Sequence, residues 1–428
     1  MLSTSALTLT TPYQETMNRD CNSDCYSAVQ STKAFVSLFS AAFFAICCEI
    51  IRPDQVVMVI AAMNLVANAF SLVNVSSSSV IALSIFSTSS SNISYVQMKA
   101  NFSRIWLSSN LSDSEKANVF GQLSSTLSMS SILGPLVGSY LISSYKDTLC
   151  VACGICVVCI GAAYQMSRQS DLIFAMPTTS PLNLQSKTVE EFGQSIRNLL
   201  CSPQFFLLLS LKFFMVFAYG LFLPVWRDIL LHRFEFSPQH HTLYLVVTAI
   251  ANAVCQSLLS GKVIDFSGPN QDYVLVVCGV CLSIGRIVVV SSHSIVVLIV
   301  VIVVLMVALV TTNTLLSIAC TNLGQSKCVA SAYGLLDFIE NFASLLSPLL
   351  GIYLLKKDVV YPLLGVCLMY LCFCVLVLRF FRKYFNTNSV DERITRSFRR
   401  KKRARSPTSV VALRQSERNR LQVNEKHH

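Results

Sequence analysis

Residues 120–141, FGQLSSTLSMSSILGPLVGSYL, return at 333–354 as YGLLDFIENFASLLSPLLGIYL, so one apolar pattern occurs twice in the chain. Leu133, Pro135, Leu136, Gly138, Tyr140 and Leu141 meet Leu346, Pro348, Leu349, Gly351, Tyr353 and Leu354 at an offset of 213 residues (346 − 133). Two copies half a chain apart constrain the fold to two similar halves that repeat one order of elements.

Composition places those halves in a bilayer. Of 428 residues, 53% are hydrophobic and only 13% are charged, which excludes an ordinary water-facing globule. Crossing ~30 Å of hydrocarbon takes roughly 20 mostly apolar residues, and the backbone must be satisfied within each crossing, which selects helices. About eleven such segments are expected. The second half has six, near 203–228, 241–260, 273–291, 294–319, 329–355 and 359–382; the first has five, near 27–48, 56–75, 78–98, 117–144 and 148–167. Subtracting 213 from the last five segments of the second half lands close to all five of the first. The image of 203–228 falls before or within MLSTSALTLTTPYQE, so the first half has no recognisable first helix.

The expected organisation is an all-α polytopic membrane helix bundle of two pseudo-repeated halves. It comprises an external segment 1–26, a five-helix bundle 27–167, a connector 168–202, a six-helix bundle 203–382 and a basic tail 383–428. Residues 382–428 hold fourteen Lys/Arg and four Asp/Glu, net +10 of the formal +11. By the excess of basic residues on cytoplasmic loops this end is cytoplasmic. The tail's low hydrophobicity predicts disorder, and Arg399–Arg403 predicts attraction to anionic lipid in preference to nucleic acid.

At 261–268 the chain reads GKVIDFSG, between the second and third helices of the second half. Gly261, Asp265 and Gly268 resemble the G-x-x-x-D-x-x-G loop of the major facilitator superfamily. Small residues there let helices approach, and the carboxylate makes a contact that differs between access states. Gly134, Pro135 and Gly138 are similar to the G-P-x-x-G signature of that superfamily's drug:proton antiporters and organic-cation-transporter-like members. Close packing at glycine and a proline bend are its physical content. The resemblance covers about residues 27–382. It implies two bundles rocking about a midplane site, with the first, second, fourth and fifth helix of each half lining the cavity.

Polar residues in apolar helices then locate the expected pathway. Tyr333, Asp337, Glu340, Ser344 and Ser347 recur at steps of four, three, four and three on one helical face, with Asn341 beside them. Lys212 interrupts LLLSLKFFMVF. At 1.5 Å per residue Lys212 and Asp337 both sit ~12–14 Å from their helix starts. A charge at such depth costs at least ~2.5–3.5 kcal/mol, which marks function. Two readings stay open. In one, Asp337 or Glu340 carries a proton or cation and Lys212 assists it or contacts substrate; in the other, the three form a permanent structural pair. Ser84, Ser87, Ser91 and Ser94 form a hydroxyl stripe facing the cavity or a neighbouring helix, and Thr311, Thr312, Asn313 and Thr314 favour the cavity. Arg286, near a helix end, reads as a snorkelling side chain.

Seventeen cysteines invite a cluster, and Cys150, Cys153, Cys156 and Cys159 stand three apart. On a continuous helix this spacing spreads thiols along a drifting stripe, so apolar packing is expected, with neither metal nor cofactor. No hydrolytic constellation occurs, and an enzyme is not expected. The resemblance to the major facilitator superfamily implies a secondary transporter of a small organic solute, coupled to protons. The alternative is a transport-inactive truncated or regulatory membrane protein that acts through a binding partner.

Overall fold

The structure is a computed structural model that describes residues 28–39, 53–74, 81–83 and 85–87, separate positions between 115 and 137, and 145–173, 197, 199–267, 270–323 and 329–386. All its long elements are helices. We label them α1 (28–39), α2 (Pro53–Val73), α3 (Tyr145–Ile173), α4 (Pro203–Asp228), α5 (Pro238–Ser267), α6 (Gln271–Ser291), α7 (Ile295–Leu323), α8 (Val329–Leu355) and α9 (Val360–Leu376). Among the described residues, six stretches are long and apolar enough to cross a bilayer: Tyr145–Gln165, Pro203–Arg233, Gln271–Ser291, Ile295–Leu323, Ala332–Leu355 and Val360–Phe385. The chain is a multi-pass, all-α membrane bundle.

The lipid face is legible in the exposed side chains. On α6, Tyr273, Val277, Val280, Ile284 and Ile287 are exposed at steps of four, three, four and three. On α9, Tyr361, Leu364, Leu368, Leu371 and Val375 repeat the rhythm. Apolar stripes of this length are stable only against hydrocarbon or another protein surface. The opposite side of α6 packs on α9, and α2 packs on α3 in the same way. These pairs occupy equivalent places in the two repeats.

α4 is the hub, packed against α7, α8 and α9. Pro203 opens it at the first turn, where a missing N–H costs nothing. Its buried residues run almost all round the helix, from Phe205 through Leu211 and Met215 to Val225. The closest approach is to α8. A Cβ on Gly220 would collide with Ser347 Oγ, and one on Gly351 would stand 2.8 Å from the Leu221 carbonyl oxygen. Ser347 and Gly351 form a small-xxx-small step, the second-half image of Gly134 and Gly138, and it lets two backbones meet. Beyond Asp228 the chain continues as a π-helical turn, Ile229–Arg233. There the Arg233 guanidinium donates to the carbonyls of Val290 and Ser292, where it favourably meets the negative end of α6.

Three hydrogen bonds join the first half of the sequence to the second. Ser31 Oγ on α1 donates to the Leu345 carbonyl of α8 at 2.9 Å. Asn252 Nδ2 on α5 donates to Ser128 Oγ at 3.1 Å, with Gln256, one turn further, at 3.5 Å from the same hydroxyl.

Residues 379–386 are the described part of a second unit that begins at Arg379, and there pairs of aromatic residues flank Arg382 and Lys383. Phe380 stacks on Tyr384 and Phe381 on Phe385.

Candidate functional site

Lys212 is one of three charged residues in α4 and the only buried one. Its ammonium lies 2.8 Å from Glu340 Oε2 of α8 and donates to Asn313 Oδ1 of α7 at 2.9 Å. Three helices thus meet at one cation. The partners differ in exposure: the Lys212 side chain is 9% exposed, whereas that of Glu340 is 40% exposed. The ammonium is fixed inside the bundle and the carboxylate faces open space.

Asp337 stands one turn before Glu340 on α8 and is half-buried. Asn341 Nδ2 donates to the Asp337 backbone carbonyl at 2.9 Å and to its Oδ2 at 3.2 Å, so a buried amide orients the second carboxylate. Tyr333, at the start of the same face, is buried. Its hydroxyl donates to the Ser317 carbonyl at 2.9 Å and lies 2.7 Å from Thr321 Oγ1, tying α8 to α7. These residues lie along one continuous helix and differ in surroundings: Tyr333 and Ser347 are buried against neighbouring helices, while Glu340 meets the Lys212 ammonium and Asn341 bonds Asp337.

The α7 cluster divides likewise. Thr312 and Thr314 return their hydroxyls to carbonyls of their own helix, Ala308 and Val310, and Asn313 alone reaches Lys212. Of the serine stripe, Ser87 is buried, while Ser84, Ser91 and Ser94 lie outside the described residues. Gly134 is buried in a helical turn; Pro135 and Gly138 lie outside the described residues. The segment expected as a loop at 261–268 is helical through Ser267, so Gly261 and Asp265 stand on successive turns of α5; Gly268 lies outside the described residues.

Arg286 corrects its sequence reading. It does not snorkel to a surface: it is 4% exposed, with its guanidinium over the rings of Phe222, Tyr219 and Tyr370 at 4.8, 5.3 and 5.8 Å. Three ring faces offer a cation roughly 0.5–2 kcal/mol each. Arg286 Nε and the Tyr370 hydroxyl have no hydrogen-bond partner among the described residues. The signal was present in sequence as Tyr219, Phe222 and Trp226 at steps of three and four on α4. Trp226 extends the cluster by stacking on Phe222 and leaning on Tyr244 of α5.

The cysteine run lies on continuous α3, with Cys150 exposed, Cys156 buried and Cys153 and Cys159 between, so the thiols point to different surroundings. Among the described residues no three His, Cys, Asp or Glu side chains gather as metal ligands.

Membrane-length helices packed around a three-helix charge network are the architecture of a polytopic membrane protein. The profile of the Major Facilitator Superfamily matches residues 34–348, and the chain belongs to that superfamily. It is a multi-pass membrane transporter, not an enzyme. A solved structure, that of the human organic anion transporter MFSD10 (TETRAN), superposes with a TM-score of 0.64 at 13% identity, covering 88% of this chain and 95% of that one. At that identity the likeness shows the fold. No curated protein matches the chain by sequence.

Proposed function

We propose that the protein moves a small organic solute by proton-coupled alternating access, with Lys212, Glu340 and Asp337 as the charged centre of its pathway. The observation that carries this reading is the Lys212–Glu340–Asn313 junction. A half-exposed carboxylate gains little stability from such a pair, so stability alone is a weak reason for this arrangement. With 40% of its side chain exposed, Glu340 is accessible to a proton and to solute. Asp337, oriented by Asn341, supplies a second proton acceptor on the same face.

Alternating access requires a contact made in one state and broken in the other. Asp265 near the end of α5 is our choice for that contact, in line with its resemblance to the superfamily loop. The antiporter branch rests on the resemblance of Gly134, Pro135 and Gly138 to a superfamily signature that carries no charge. Direction of coupling is therefore better argued from charge.

Solute counterflow in proteoliposomes of the full chain tests the reading, using an organic anion, an organic cation and a sugar as separate probes. We expect saturable counterflow of at least one. Absence of flux for all three favours a transport-inactive membrane protein acting through a partner.

A further inference from the structure

We infer that the solute is an organic anion, whose carboxylate replaces that of Glu340 on the Lys212 ammonium while Glu340 takes up a proton. The inference rests on the transport reading above and adds the chemical class of its substrate.

An ion pair in a protein opens on its mobile side. Lys212 sits on the most enclosed helix, is 9% exposed and is held a second time by Asn313. Glu340 is 40% exposed. A cationic solute attracted to Glu340 would have to expel Lys212 from the carboxylate, leaving a buried ammonium with an amide oxygen alone, which is the costly way to break such a pair. An anionic solute displaces the partner that already faces open space. Lys212 stays paired throughout.

Charge then fixes the coupling. Before exchange the junction holds one ammonium and one carboxylate. After it, the junction holds the ammonium, the solute carboxylate and Glu340. An added negative charge inside a membrane is expensive, and one proton on Glu340 removes it. The groups around Glu340 among the described residues favour this: Lys212 from α4 is occupied by solute, Asn313 from α7 is neutral, and Asp337 on its own helix is a like charge one turn away. The proton comes from the aqueous cavity and travels with the solute, so anion and proton move together with no net charge.

A second cation extends the positive pathway. Tyr219 and Trp226 stand seven and fourteen residues beyond Lys212, on the same side of α4, and Arg286 lies behind Tyr219. A solute following this side of α4 meets aromatic faces backed by a guanidinium.

The test is uptake into proteoliposomes of the full chain with p-aminohippurate and glycocholate as carboxylate anions and tetraethylammonium as cation. We expect uptake of at least one anion. A gradient acid on the donor side should stimulate it, and an imposed membrane potential should leave it unchanged. Glu340→Gln, a mimic of the protonated acid, should keep anion exchange, lower its KM severalfold and lose stimulation by the gradient. Lys212→Gln should abolish anion uptake and Lys212→Arg should retain part of it. Should Lys212→Gln fail to fold, the Lys212→Gln/Glu340→Gln double variant strands no charge and should show no anion uptake. Transport of tetraethylammonium with both anions excluded overturns the inference and leaves the transporter reading intact. Anion uptake that follows the membrane potential, or keeps its pH stimulation in Glu340→Gln, also overturns it. Flux of none of the three overturns both.

Discussion

Lys212 and Glu340 meet at 2.8 Å with unequal exposure, 9% for the lysine side chain and 40% for the glutamate. Removing either partner is therefore not symmetrical. Glu340→Ala strands a buried ammonium, while Lys212→Met leaves a carboxylate that water reaches. We expect Glu340→Ala to lower the midpoint of thermal unfolding in detergent more than Lys212→Met. The loss should fall short of the ~3–5 kcal/mol typical of a fully buried pair, because solvent screens this one. Equal losses would show that the exposure difference has no energetic consequence.

The α4–α8 contact supplies a packing prediction. Gly351→Ala drives a methyl toward the Leu221 carbonyl, a backbone atom that cannot rotate away, whereas Gly220→Ala meets the Ser347 side chain. Both should destabilise by about 1–3 kcal/mol, the scale of overpacking. Adding Ser347→Gly should restore Gly220→Ala and leave Gly351→Ala impaired. Yield of monodisperse protein on size exclusion, with thermal unfolding, reads the difference.

At Arg286 the aromatic cage makes opposite forecasts for two changes of one residue. Tyr370→Phe keeps the ring and deletes a buried hydroxyl that makes no well-formed hydrogen bond to the described residues, so stability should hold or rise. Tyr370→Leu removes a ring face from the guanidinium and should cost stability, by about 1 kcal/mol for the lost cation–π contact plus the packing change. Thermal unfolding of the two variants side by side decides it.

Much of this was legible in sequence because membranes simplify the problem. The helices of the second half announce themselves by length and apolarity, and the period of Tyr333, Asp337, Glu340 and Ser347 gave their shared face. Lys212 was conspicuous because a lone charge in LLLSLKFFMVF must find a partner. Choosing that partner was another matter: Asp337 and Glu340 are three residues apart on the same side of α8, and only packing against α4 selects Glu340. Arg286 misled because distance from a helix end says nothing of what lies across the interface, and the rings that enclose it come from α4 and α9. Helix α5 runs on through Gly261 because glycine only weakens a helix, by ~1 kcal/mol relative to alanine.

Asp265→Asn should slow transport without lowering the amount of folded protein, since its proposed contact biases access states. Turnover normalised to purified protein is the measurement. Wild-type turnover would leave Gly261 and Asp265 as part of an ordinary helix end.

Proton movement tests the Lys212–Glu340 junction most directly. Proteoliposomes loaded with a pH-sensitive dye and given p-aminohippurate outside, at equal starting pH, report whether protons accompany the solute. Coupling through Glu340 predicts acidification of the lumen, about one proton per anion, in the wild-type protein, and anion influx without acidification in Glu340→Gln. Wild-type influx with no change in lumen pH, or undiminished acidification in Glu340→Gln, would contradict it.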